Sequence, residues 1–147
     1  MRLPRAAEGP APVGVTPADR ALQGGTAGHP LFGGWSATRW QYTSAADPGR
    51  TVDVVTDLRG SITLSLAATA FILAFDVAGR GKHSVSGACE VRGEELLLVA
   101  EGTGRAERVA FHQTGDTLSL RSDVSGWDFD GQGRDQGAAF VAVLVRL

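Results

Sequence analysis

The sequence predicts an all-β fold: a closed antiparallel up-and-down barrel of eight strands, preceded by a segment of different character. Three observations carry that expectation. Twenty glycines punctuate short runs rich in Val, Leu, Thr and Phe, the pattern of strands and turns. From Phe32 onward the apolar residues recur with period two, and no stretch reads as a long helix. The strands so marked number eight, and an antiparallel meander closes without exposed edges only when that number is even.

Residues 1–30 stand apart. They are rich in Pro, Ala and Gly with few large apolar side chains, so they are expected to be mobile unless docked. Within them, "TPADRALQGG" carries helix signals: Thr16 as a cap, Pro17 at the first helical position, Asp19 in the first turn and Gly24 as a stop. A short helix over about 17–23 is expected there. The barrel is expected over 31–147, its first strand at about 35–43. The second reads as one long strand, 52–66. Val52, Val54, Thr56, Leu58, Gly60, Ile62, Leu64 and Leu66 share one parity, with a bend at Gly60. The others follow at about 70–78, 82–91, 95–101, 106–113, 117–123 and 138–146. Tight links at 68–70, 92–94 and 114–116 fall at one end, which is closed. The longer "SAADPGR" and "WDFDGQGRD" fall at the other, which is a mouth.

Bulk chemistry narrows the function classes. With 14 basic and 16 acidic residues and no block of like charge, the chain lacks the electrostatic footprint of a nucleic-acid or anionic-membrane binder. No apolar run approaches the ~20 residues of a membrane-spanning helix. A single cysteine, Cys89, rules out an internal disulfide and a cysteine-based zinc cluster; it reads as a small buried hydrophobe. His29 lies in the tail, and His83 and His112 fall on opposite strand faces, so zinc and haem find no ligand set. No cofactor is expected. The arginines of "MRLPRAAEGPAPVG" are not followed by the apolar core of a signal peptide. That leaves the cytoplasm, or an extracytoplasmic location if a leader was removed.

The first strand opens on "FGGWSATRW", a G-x-W pattern at Gly33, Gly34 and Trp35, and the last, "VAVLVRL", carries Arg146 near its end. With the strand count, these features resemble the lipocalin-like barrels. The "DFDGQG" leading into the last strand is similar to a pattern in small bacterial lipocalin-like domains. The resemblance covers about 31–147. It implies that Trp35 closes the barrel floor with Arg146 packed across it, Leu31 and Phe32 plugging beneath. It also implies an interior for an apolar ligand. The chain departs from true lipocalins in lacking the T-D-Y loop, a disulfide and a C-terminal helix.

If Trp35 points inward, strict alternation puts Ala37, Arg39 and Gln41 on its face and leaves Trp40 and Tyr42 outside. A guanidinium facing an apolar interior cannot lose its charge. Arg39 would therefore hold a ligand's acidic head group near the mouth or pair with a rim carboxylate. Gln41 and His83 stand with it at the entrance, where a neutral imidazole would polarise a ligand or sit hydrogen-bonded in the interior. Val52, Val54, Phe75 and Val109 belong to the apolar lining. An eight-stranded barrel has room for packed side chains or one small ligand, so a filled core is the alternative.

The stretch "WDFDGQGRD" invites a calcium reading. Asp128, Asp130, Gln132 and Gly133 have the spacing of an EF-hand's first ligands and turn glycine. Position twelve is Ala139 where a bidentate Glu is needed, and the flanks are strands. The stretch reads as a turn without a metal.

Two function classes stay open. One is a non-catalytic binding barrel for a small apolar or amphipathic molecule, acidic ones included. The other is a small barrel enzyme, a cyclase or isomerase, acting on one bound apolar substrate; a purely structural domain is a third reading. No residue is singled out as catalytic. On the outer wall Trp40, Tyr42, Val141, Val143 and Val145 would form one apolar patch. Its cover would be the N-terminal segment, through Val13, Val15, Ala21 and Leu22, or the same patch of a second copy in a homodimer.

Overall fold

The computed structural model describes residues 1–3 and 29–147; the helix expected over 17–23 and the tail residues Val13, Val15, Ala21 and Leu22 lie outside them. The described strands are β1 (Gly33–Ser44), β2 (Thr51–Asp53), β3 (Ser61–Leu66), β4 (Ala70–Val77), β5 (Gly81–Arg92), β6 (Glu95–Ala100), β7 (Ala106–Thr114), β8 (Thr117–Trp127) and β9 (Gln136–Arg146). Their order is β2-β1-β3-β4-β5-β6-β7-β8-β9, and β9 pairs back onto β1. Eight strands thus close an antiparallel barrel, as expected, and β2 is an extra short piece. Among the described residues there is no helix.

The long strand expected over 52–66 is interrupted. β2 pairs with β1 at Gln41–Thr43 and β3 pairs with it at Gly33–Ser36, so the two are pieces of one barrel position. Between them the chain leaves the ladder. The Asp53 carboxylate accepts the backbone N–H groups of Trp40 (3.1 Å) and Val55 (3.0 Å), while Asp57 accepts that of Asp53 (2.8 Å). Such local bonds compete with strand pairing. Gly60 ends the excursion with its backbone against Val54: a Cβ there would lie 2.8 Å from the Val54 carbonyl oxygen. Its role is close approach at the end of a loop, where alternation suggested a bend within a strand.

Two bulges set which side chains enter the barrel. Ala37 faces Leu144, but Arg39 already faces Val143. Thr38 is the extra residue, and its hydroxyl donates to Val143 O at 3.2 Å. One inserted residue moves every later side chain to the other face. Trp35 and Ala37 face in before the bulge; Trp40, Tyr42 and Ser44 face in after it. Trp40 and Tyr42, expected outside, are both 0 % exposed. Arg39 and Gln41, expected inside, lie on the outer face, where Arg39 Nε donates to Gln41 Oε1 at 2.8 Å. In β8 the register slips between Ser122, opposite Phe140, and Ser125, opposite Ala138. That slip turns Ser125 and Trp127 inward and leaves Val124 86 % exposed. Burying large apolar side chains at roughly 1.5–3 kcal/mol each outweighs a locally disrupted ladder. The expected outer patch accordingly loses both aromatics and retains only Val141, Val143 and Val145 on the wall.

The floor matches the expectation. The links after β3, β5 and β7 are short and lie at the end that holds Trp35. Trp35 is fully buried, and its indole Nε1 donates to Leu31 O at 2.9 Å. The Arg146 guanidinium lies 4.2 Å from the centre of the Trp35 ring and donates to Phe32 O at 3.0 Å. Gly33, at φ +130°, makes room for it: a Cβ there would sit 2.7 Å from Arg146 Nη1. The glycine of the G-x-W pattern is thus a seat for the arginine.

Candidate functional site at the barrel mouth

At the opposite end the longer links 45–50 and 128–135 are tied together. Arg50 donates to Asp130 Oδ1 and to Phe129 O, both at 2.8 Å. Within the second link, Asp128 accepts the N–H groups of Gln132 (3.1 Å) and Gly133 (2.7 Å), and Asp130 also accepts from Gln136 Nε2 at 2.8 Å. Asp128 of "DFDGQG" serves as the turn acceptor read from the sequence, whereas Asp130 accepts from side chains and ties the two links together. Millimolar calcium should therefore leave the melting temperature within a degree or so of its value in EDTA; an EDTA-reversible rise of several degrees would show a saturable cation site.

Beneath these links lies an aromatic layer that the two bulges turn inward. Tyr42 and Trp127 stack with ring centres 5.0 Å apart, and Trp40 meets Phe140 edge-on at 4.8 Å. Trp40 Nε1 donates to the Tyr42 hydroxyl at 3.0 Å. Burial pushes the Tyr42 phenol well above its ordinary pKa, so it stays protonated and acts as a donor. Arg80, on the link between β4 and β5, is nearly buried. Its guanidinium lies 4.0 Å from the centre of the Trp127 ring and 3.8 Å from Asp135 Oδ1. A cation held against an aromatic face and a carboxylate is a stable way to keep charge at an apolar site.

The space above this layer is filled by residues 1–3. Met1 and Leu3 are buried in the same core, and Arg2 between them is exposed, the in-out-in pattern of an extended strip. The Tyr42 hydroxyl donates to Met1 O at 2.5 Å, and Arg80 Nη1 donates to Leu3 O at 2.7 Å. The α-amino group of Met1 donates to Ser125 Oγ at 2.8 Å, and the Arg2 N–H donates to Glu107 Oε1 at 2.9 Å.

Burial lowers the Met1 amine from its ordinary pKa of 8.0 to about 5, against the opposing pull of Glu107. The unfolded or undocked chain holds that proton more tightly. Between those two values docking therefore strengthens as pH rises and weakens as pH falls. An NMR titration of the amine should show its midpoint near 5; a midpoint near 8 would put Met1 in water.

Searches with the sequence find no matching family model and no matching curated protein. Solved structures do match. A lipocalin-like protein from Bacteroides uniformis aligns over 80 % of this chain and 98 % of its own length, with a TM-score of 0.50 at 13 % identity. A de novo designed fluorescence-activating β-barrel aligns over 80 % and 94 %, with a TM-score of 0.41 at 12 % identity. The fold is that of a lipocalin-like barrel.

In this lipocalin-like barrel the residues singled out from the sequence fall in three places. Val54, Phe75 and Val109 are buried in the interior, and Val52 and His83 are half-buried. His83 stacks on Phe75 with ring centres 5.7 Å apart. Arg39 and Gln41 belong to the outer wall and bind each other. Among the described residues the buried guanidinium is that of Arg80, from "VAGRGK"; a hairpin link gives no periodicity by which to find it. Cys89 is buried, its thiol donating to Ala67 O and Ala70 O at 3.1 and 3.2 Å, and burial raises its pKa, which suits a packing role. Among the described residues no group of three or more His, Cys, Asp or Glu is placed to hold a metal, and no helix is long and apolar enough to cross a membrane.

Among the described residues the wall itself opens near the mouth. The β7–β8 ladder runs only from Ala110–Arg121 to Thr114–Thr117, so the strands are unpaired with each other above it. Outside this seam lies a cleft of about 610 Å³, whose lining includes Arg2, Glu107, Arg108 and Arg121.

Proposed function

We propose that this lipocalin-like barrel is a non-catalytic binding domain for a small apolar or amphipathic molecule. In this reading the ligand enters at the mouth and lies on the Trp40–Tyr42–Trp127–Phe140 layer. The observation that carries the reading is that the upper interior is filled by a separate segment, Met1–Leu3, and not by the barrel's own strands. A barrel packed to the brim by its own side chains would have no such place. Buried donors at the layer's edge, the Tyr42 hydroxyl and the Arg80 guanidinium, suit a ligand with acceptor oxygens at one end and apolar groups at the other. Val52, opposite Tyr42, and Val54, Phe75, Val109 and His83 would line the interior beside it.

The test is a titration with 11-(dansylamino)undecanoic acid, followed by dansyl emission and by quenching of tryptophan, together with native mass spectrometry of the purified protein for any retained molecule. A saturable one-to-one isotherm is expected. Absence of saturable binding by the folded chain, with nothing retained, contradicts the reading.

A further inference from the structure

We infer that the mouth and the open β7–β8 seam form a site for an extended peptide with apolar side chains at alternate positions, and that residues 1–3 are its built-in occupant. The inference rests on the reading of the barrel as a binding domain and names its ligand class. Three observations carry it. First, the contacts that hold the segment follow a strand's period: residues 1 and 3 bury their side chains and offer their carbonyls to Tyr42 and Arg80, while residue 2 points out. In an extended chain, carbonyls two residues apart point the same way, so the two donors read a backbone repeat. Second, the two donors and both side-chain seats are buried, whereas the residue between them is exposed and lines the cleft beside Gly126, with its N–H on Glu107. The site therefore fixes positions one and three and leaves position two free. Third, among the described residues β7 over 106–109 pairs only with β6 and β8 over 122–127 only with β9, leaving between them backbone edges of the kind that accept an added strand.

A resident segment lowers the apparent affinity for any competitor by the fraction of time the site is open. Opening it should expose the site. The test uses the full chain carrying Leu3→Lys, which places a cation in an apolar seat beside Arg80, and the peptide Met-Arg-Leu-Pro-Arg with a dye at its C-terminus, followed by fluorescence anisotropy. Leu3→Ala serves as a milder opening should the lysine unfold the barrel, with near-UV circular dichroism reporting the fold. Binding to the opened variant at least about tenfold tighter than to the wild type is expected. Loss of binding when the peptide's third residue is lysine, and a loss of about tenfold when Arg80→Gln is added to the opened chain, are expected too.

Peptide binding of equal strength to wild type and opened variants would overturn the claim that residues 1–3 occupy the site. No peptide binding to a folded opened variant that still binds the dansyl fatty acid would overturn the peptide inference and leave the binding barrel standing. Failure of both probes on the same folded variant would remove both.

Discussion

Trp40→Glu is expected to abolish the folded barrel, whereas Arg39→Glu beside it is expected to be tolerated. Trp40 is fully buried, meets Phe140 edge-on and donates to the Tyr42 hydroxyl. Losing a large buried aromatic costs about 3–5 kcal/mol. A carboxylate left without a partner in that layer costs several kcal/mol more or takes up a proton. The sum approaches the whole stability of a typical domain, roughly 5–15 kcal/mol. Arg39 is exposed on the outer wall, where substitutions usually change stability by no more than about 0.5 kcal/mol. Near-UV circular dichroism and thermal melts of the pair decide the matter. A cooperative melt for Trp40→Glu with loss of structure for Arg39→Glu would mean that the bulge at Thr38 does not exist.

At the other end, Trp35→Ala is expected to cost about 3–5 kcal/mol without changing the mouth. The indole is fully buried, holds the Leu31 carbonyl and supports the Arg146 guanidinium on its face. Urea denaturation should show the midpoint fall at nearly constant slope. A near-neutral effect would mean that the floor is closed by other contacts and that the G-x-W pattern is incidental. Binding of the dansyl probe, measured where the variant is still folded, should be little changed, since Trp35 and the Tyr42–Trp127 layer lie at opposite ends.

How much of this was legible in the sequence follows from what period two can and cannot report. Alternation marks each strand and, with the turn residues, the even number that closes the barrel. The G-x-W pattern and Arg146 mark the floor, where no irregularity separates the residues involved. At the mouth the same rule misleads. Parity counted from Trp35 is correct up to Ala37 and wrong from Arg39 onward, because Thr38 is an ordinary strand residue whose insertion leaves no local signature. The slip between Ser122 and Ser125 hides the inward turn of Trp127 in the same way. The unbroken alternation from Val52 to Leu66 conceals a loop, since residues 54 and 58 pack on the core while out of the ladder. One signal was available: a strict pattern put Trp40 and Tyr42 in water beside three valines, an unusual exposure for a folded chain. A second copy or the N-terminal segment would cover such a patch; a bulge removes the need for either.

The docking of residues 1–3 has no sequence signal beyond Met1 and Leu3 being large and apolar in a segment rich in Pro, Ala and Gly. It follows from tertiary structure, because the site they fill is assembled from β1, β8 and the β4–β5 link.

The most direct measurement is NMR of the full chain with isotope-labelled Met1 and Leu3, recorded before and after saturation with the dansyl fatty acid. In the free protein, cross-relaxation between both residues and the aromatic rings of Tyr42 and Trp127 is expected, and it should vanish as the ligand takes the site, with Met1 and Leu3 moving to the shifts of a solvated chain. Contacts that persist unchanged at saturation would show that the segment is a permanent part of the core and that the ligand, if bound, lies elsewhere.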